Sequence, residues 1–215
     1  LYLDIYLDVL TYEIMNSTLA IRGFADLIKG GNGDKEKIYA QRITDIIIRD
    51  RETIRNIETI SRIFKHPPTK GPVKLRDAFK QAIAHYPALT IPCEGCDVTV
   101  FADEKLPMVF DNLISNSIRF GKSDVRITVS TRDNNDGTIE VSVADNGPGI
   151  ADKLKPVIFE RFLKGTDKRS SYGLGLHIVK LLIEAYGCRK RVRQSGSRSQ
   201  NTCRSVKINE GSRHS

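Results

Sequence analysis

Asn112 and Asn116 stand four positions apart and share one face of a helical segment whose neighbours Leu113, Ile114 and Ile118 are apolar. Amide oxygens are hard donors suited to Mg²⁺, an ion that keeps waters and phosphate oxygens in its shell. Further along, Asp145-Asn146-Gly147-Pro148-Gly149 follows an alternating segment that ends at Ala144. A carboxylate there can accept from an exocyclic amine, and the glycines let a flat ligand approach the backbone. Gly173-Leu174-Gly175-Leu176 opens another helical segment, where unpaired N–H groups form an anion site. Between the two glycine stretches lie Phe159-Glu160-Arg161-Phe162, then Lys164, Lys168 and Arg169, in a segment too long for a simple connection. It reads as a lid whose cations meet phosphates. Each feature alone also occurs in ordinary turns, helix faces and cores.

The elements that must position these residues fall into two parts. Leu3, Leu7, Leu10, Ile14, Ser17, Ile21, Phe24 and Ile28 are spaced alternately four and three apart, a helix seam with one polar interruption at Ser17. Gly30-Gly31-Asn32-Gly33 makes a turn, and a second helix over residues 35–64 carries Ile43, Ile47, Ile54, Ile57 and Phe64 on one stripe, widened by Ile46, Ile60 and Ile63. Two long helices joined by a tight turn form an antiparallel hairpin. Its apolar face is wider than one interface, so a second copy completing a four-helix bundle, or the rest of the same chain, must cover it. Prolines 67, 68 and 72 end the second helix and set the domain boundary, giving 1–66 and 67–215.

Beyond the boundary the pattern predicts helices over 75–85, 103–120 and 174–186 and a strand near 97–101. Two alternating segments, 125–131 and 138–144, flank Asn134-Asn135-Asp136-Gly137, a strong hairpin signal. This order suggests an α+β sandwich, one sheet with helices on one face. The tail, 188–215, shows only faint alternation, which fits disorder, an atypical last hairpin or an altered reading frame.

Of the 215 residues 40% are apolar and 28% charged, the balance of a globular chain with a real core. No apolar run approaches the roughly 20 residues of a membrane span, and no leader precedes the first helix, as in a fragment lacking its upstream part. The tail holds eight Lys and Arg against one acid, Glu210, and so nearly all of the net charge of +8. It lacks stacking aromatics, which argues against specific nucleic-acid binding. Four scattered cysteines, with Cys93 and Cys96 as a CxxC, read as reduced thiols of a cytosolic protein rather than a disulfide scaffold.

The ordered pieces resemble the N box, first glycine box, F box and second glycine box of sensor histidine kinases, within the Bergerat-type (GHKL) ATPase superfamily. The hairpin resembles that family's dimerisation and phosphotransfer domain. The resemblance covers about residues 1–187 and implies a four-helix bundle on dimerisation and an α/β sandwich that binds ATP and Mg²⁺. It implies that Asp145 meets the adenine amino group, with Gly147 and Gly149 shaping the base pocket. Asn116 coordinates Mg²⁺, and Asn112 supports the ion or the phosphates. Lys164, with Arg169, reaches phosphates from the lid, Gly173 and Gly175 cradle them, and Phe159 and Phe162 anchor the lid. The implied partner is a response-regulator receiver domain.

The pattern departs from the family at one chemical position. Thr11-Tyr12-Glu13-Ile14-Met15-Asn16 aligns with the phosphoacceptor segment, but Tyr12 stands where the family has histidine. Tyr12 lies two residues from both Leu10 and Ile14, so it faces away from the seam. A neutral imidazole offers a nucleophilic nitrogen near pH 7, whereas phenols ordinarily titrate near pH 10. The resemblance therefore implies ATP-dependent phosphoryl transfer with autophosphorylation disabled by Tyr12. A nucleotide-binding pseudokinase scaffold, or a phosphatase of a response regulator using Glu13 and Asn16, is the alternative. Ser171, where the second glycine box often begins with glycine, is a small second departure.

Overall fold

The computed structural model describes residues 2–31, 33–121, 123–160, 173–194 and 202–209. Helix α1 (Tyr2–Lys29) and helix α2 (Glu36–Lys65) are joined through a 3₁₀ turn at Gly33–Lys35. They lie antiparallel, held near the turn by stacking of Phe24 on Tyr39. The polar break in the seam has a partner: buried Ser17 donates to Asp50 Oδ1 at 2.9 Å, which satisfies a hydroxyl that would otherwise cost free energy inside an apolar interface. Leu7 departs from the expected seam and is exposed, while its neighbour Tyr6 is buried. The side chain of Leu3 lies outside the described residues.

Among the described residues the buried side chains of α2 all lie in its C-terminal half. Ile57, Ile60 and Ile63 are buried, and α2 packs against the last helix of the molecule. Met15, Leu19, Leu27, Ile38, Ile47 and Ile48 stay exposed, so the hairpin's other face keeps a long apolar strip in solvent.

The second part contains β1 (Gly71–Lys74), α3 (Leu75–Ile83), β2 (Cys93–Glu94), β3 (Thr99–Ala102) and α4 (Leu106–Phe120). These are followed by β4 (Ile127–Asp133), β5 (Thr138–Asp145), α5 (Gly175–Ala185), β6 (Arg189–Gln194) and β7 (Thr202–Asn209). One five-stranded sheet runs β2-β4-β5-β7-β6, with β2 parallel to β4 and every other pairing antiparallel. Phe79, Phe110, Leu113, Ile114, Ile178, Leu182 and Ile183 from α3, α4 and α5 pack with Val129, Ile139 and Val143 from the sheet in one core. The α+β sandwich expected from the sequence is the fold observed.

Two features differ from the sequence reading, and a third falls among the alternatives it left open. Residues 71–74, which take in the boundary proline Pro72, form a strand pairing with β3 in a separate two-stranded sheet, with Pro72 opposite Phe101. Proline is tolerated because β1 has a neighbour on one side only. Of the alternatives for the tail, the described residues form the last hairpin, since β6 and β7 pair from Arg189↔Lys207 to Gln194↔Thr202. The reduced thiols are also corrected: Cys93 and Cys96 are joined in a disulfide.

The far end of α5 is anchored by a buried carboxylate. Tyr186 donates to Asp103 Oδ1 at 2.6 Å, and Lys105 reaches Asp103 Oδ2 at 2.9 Å. Burial pushes the Asp103 carboxyl up, but the hydrogen bonds from Tyr186 and Lys105 outweigh it and hold the group below its ordinary 3.8. The unfolded chain therefore binds more protons than the folded one as acid is added. Asp103 contributes stability that is complete above about pH 4 and lost as pH falls through its depressed native value. Tyr186→Phe should cost about 1.5–3 kcal/mol at neutral pH and make the acid limb shallower. Urea midpoints measured from pH 7 down to pH 2 on both proteins check this.

Candidate functional site

Asp145 is the last residue of β5 and is buried. Its Oδ1 accepts from the Gly147 backbone N–H at 2.9 Å, and its Oδ2 lies 2.9 Å from the Ser117 hydroxyl. Ser117 directly follows Asn116 on α4, so this carboxylate ties the glycine turn to the asparagine helix. The turn can close because residue 147 has no side chain: a Cβ there would sit 2.7 Å from Asp145 Oδ1. Asn146 braces the outside, its Oδ1 accepting from the Arg126 N–H at 2.8 Å. Gly149 and Gly173 take left-handed φ angles of 82° and 67°, which side-chain-bearing residues rarely adopt.

On α4 the two asparagines are fixed by bonds back along the helix. Asn112 Nδ2 donates to the Met108 carbonyl and Asn116 Nδ2 to the Asn112 carbonyl, both at 2.8 Å. That arrangement reserves the amide oxygens for other partners. Asn112 Oδ1 faces the first residue of α5, where a Cβ on Gly175 would lie 2.7 Å away. Asn112, Asn116, Asp145 and the glycines at 147 and 175 therefore meet around one junction of α4, the β5 turn and the start of α5.

Gly175→Ala tests that junction. Alanine gains helix propensity of up to about 1 kcal/mol, but its methyl must push Asn112 off the Met108 carbonyl, losing about the same amount. The melting temperature should change little, while any ligand that needs the Asn112 amide should bind at least about 10-fold more weakly. Thermal unfolding alongside calorimetric titration with Mg-ATP separates the two effects.

The residues present suit a magnesium ion shared with phosphates. Among the described residues no group of three His, Cys, Asp or Glu side chains could hold a metal. An amide oxygen such as that of Asn116, one turn along α4 from Asn112, suits an ion that takes one protein oxygen and keeps phosphate oxygens and waters. Lys164, Phe162, Lys168, Arg169 and Ser171 lie outside the described residues, whereas Phe159 is described and buried.

The hairpin touches this site from two sides, through residues the sequence reading did not single out. Tyr6 of α1 lies 2.7 Å from His177 Nε2 in the first turn of α5, and His177 Nδ1 lies 3.3 Å from the Phe159 carbonyl. A carbonyl only accepts, so Nδ1 carries the proton and Nε2 receives the Tyr6 hydroxyl. On the other side Arg119 pairs with Glu52 of α2 at 2.5 Å. Arg119 follows Asn112 and Asn116 at positions i+7 and i+3, the spacing that would have flagged it. Between α2 and α4 lies a cavity of about 630 Å³ whose walls include Arg51, Arg55, Asp111, Asn112, Ser115 and Arg119. Tyr12, Glu13 and Asn16 do not line it, and Tyr12 is 66% exposed, facing away from the seam as its spacing indicated.

Comparison with known proteins gives this geometry a family. The model of the histidine kinase-, DNA gyrase B- and HSP90-like ATPases matches residues 102–211, which takes in α4, both glycine turns and α5. The chain belongs to this ATPase family. A probable sensor histidine kinase HK of Mycobacterium tuberculosis is 29% identical over 133 residues, 57% of this chain and 33% of that protein. The probable sensor histidine kinase TcrY of the same species is 29% identical over 194 residues, 82% of this chain and 40% of its own length. The chain thus spans about a third to two fifths of the curated relatives just described. The solved structure of Acinetobacter baumannii histidine kinase AdeS superposes with a TM-score of 0.65 at 17% identity, covering 94% of this chain and 98% of that one, so the two share a fold. By relationship this is a histidine kinase core in which the ATPase domain follows a helical hairpin.

Among the described residues no helix is long and apolar enough to cross a membrane.

Proposed function

We propose that the chain binds Mg-ATP at the junction of α4 and the two glycine turns and serves phosphoryl transfer in two-component signalling, with self-phosphorylation on α1 disabled by Tyr12. The observation that carries this reading is the clamp of Asp145 by Ser117 and Gly147 beside the Asn112–Asn116 face. A buried carboxylate stands at one end of the pocket, and the Asn112 amide oxygen against a helix start stands at the other. Asp145 accepts from the adenine amino group, the glycines at 147 and 149 shape the base pocket, and those at 173 and 175 leave room for phosphates. Asn116, supported by Asn112, holds the ion, and Lys164 meets the phosphates from the lid. Magnesium, when bound, neutralises phosphate charge. The protein's own part in such a reaction is positioning and charge stabilisation.

In the same reading residues 1–66 form the dimerisation and phosphotransfer hairpin and 67–215 the catalytic domain. A second copy covers the exposed strip of Met15, Leu19, Ile47 and their neighbours as a homodimer, and a response-regulator receiver domain docks on the hairpin in the cytoplasm. Tyr12 favours one competing reading, a pseudokinase that binds nucleotide and signals by conformation alone. Glu13 and Asn16, on the same helix, leave room for a phosphatase acting on a phosphorylated receiver.

Calorimetric titration of the folded chain with Mg-ATP tests the core claim. Saturable uptake at one site per chain is expected, weakened when magnesium is chelated. Absence of uptake by well-folded protein would remove the reading altogether.

A further inference from the structure

The CxxC pair lies outside everything that nucleotide binding uses. Cys93 begins β2, the edge strand of the five-stranded sheet, opposite Val129 of β4. Its Cα lies 5.8 Å from that of Cys96, within the span a disulfide ordinarily bridges. The two intervening residues turn the chain through Gly95, whose φ of 69° suits glycine, and a Cβ there would lie 2.5 Å from Thr131 Oγ1. Thr131 donates to the Gly95 carbonyl at 2.6 Å, and the Val129 N–H donates to the Pro92 carbonyl at 2.9 Å. These bonds hold the turn without help from sulfur, so its shape survives opening of the disulfide. Exposure is unequal: Cys96 is fully buried, whereas Cys93 is partly exposed on the sheet edge. A three-residue separation closes a very small loop, for which a cross-link removes little chain entropy. The pair therefore fits reversible chemistry better than structural stapling.

We propose that Cys93 and Cys96 form a thiol–disulfide exchange site, with Cys93 the sulfur met by low-molecular-weight thiols and Cys96 the buried resolving sulfur. In the reducing direction an external thiolate attacks Cys93 Sγ. The Cys93–Cys96 bond breaks, and the Cys96 thiolate leaves and takes up a proton. A second external thiolate then attacks the external sulfur of the mixed disulfide. One small-molecule disulfide is released, and Cys93 becomes a thiol after protonation. Two thiols are oxidised while the protein disulfide gains two electrons. Oxidation runs the same steps backwards with a small-molecule disulfide as the oxidant. The inference stands apart from nucleotide binding.

The test uses the intact chain equilibrated with mixtures of reduced and oxidised glutathione, followed by peptide mass spectrometry. The 93–96 peptide should move reversibly between dithiol and disulfide without denaturant and without change in circular dichroism. After reduction, brief alkylation should mark Cys93 at least 10-fold faster than Cys96, with buried Cys188 as the unreactive control. Cys96→Ser should collect glutathione on Cys93, whereas Cys93→Ser should collect little on Cys96. Persistence of two thiols across the whole titration, a need for denaturant, or equal alkylation of the two sulfurs in the unaltered chain would each overturn the proposal.

Discussion

Tyr12→His is expected to give the chain acid-labile phosphorylation that the unaltered protein lacks, raising incorporated label by at least about 100-fold, the low end of what a well-matched acid–base group contributes. The substitution is sterically mild, because Tyr12 is 66% exposed and faces away from the α1–α2 seam. It changes the nucleophile. At neutral pH an imidazole presents a lone pair in most molecules, whereas a phenol must first lose a proton. Glu13 is adjacent and can take up the imidazole proton as the N–P bond forms. The geometry of delivery is partly in place. Ser17 stands level with Asp50, so Tyr12 lies roughly opposite the α2 turn that follows Glu52, by the antiparallel register. Glu52 already holds Arg119 of the asparagine helix at 2.5 Å. Labelled ATP with Mg²⁺, followed by acid treatment, reads the result. Label only in the Tyr12→His protein supports a nucleotide machine without its acceptor. Acid-stable label on the unaltered chain would make tyrosine the acceptor, and no label on either would leave the scaffold and phosphatase readings.

What the sequence disclosed divides along physical lines. Long periodic segments were legible: the seam from Leu10 to Ile28, the asparagine helix and the Asn134–Gly137 hairpin each rest on local spacing that tertiary contacts did not override. The two-residue strand β2 and the strand at Gly71–Lys74 were not, since four residues or fewer carry no period, and Pro72 argues against a strand until its single neighbour is known. The last hairpin was obscured because its composition is basic and polar, while its pairing comes from β5 next door. Within the site, residue types at fixed spacing exposed the asparagines, Asp145 and the glycines. Ser117, Tyr6, His177 and the Arg119–Glu52 pair were hidden because each acquires its meaning from a partner 28 to 171 positions away in the chain. Two of these contacts, Tyr6–His177 and Glu52–Arg119, join the hairpin to the elements around Asn112, so that coupling is the part that local pattern leaves out.

The second large effect concerns Asp145, where asparagine should weaken ATP binding by about 10- to 100-fold while leaving the fold intact, the loss of one charge-assisted hydrogen bond of about 1.5–3 kcal/mol. Fold and function separate here because the Gly147 N–H and the Ser117 hydroxyl both tolerate an amide. The asparagine oxygen still accepts from the Gly147 N–H, and its NH₂ can donate to the Ser117 hydroxyl, which accepts as readily as it donates. What disappears is a second acceptor oxygen for an exocyclic amine. Alanine would be a poorer probe, since it leaves the buried Ser117 hydroxyl and the Gly147 N–H without their carboxylate and costs stability directly. The amide also brings a donor into the pocket, and a base with a carbonyl in place of the amine can use it. Tighter discrimination between the two roles of Asp145 therefore comes from measuring ATP and GTP together. The ATP constant should weaken, the ratio between the two nucleotides should narrow or invert, and the urea midpoint should stay within a few tenths molar of the original. Unchanged ATP affinity in a folded Asp145→Asn protein would place the base elsewhere, because no other carboxylate in this turn is buried and held by both α4 and the glycine turn.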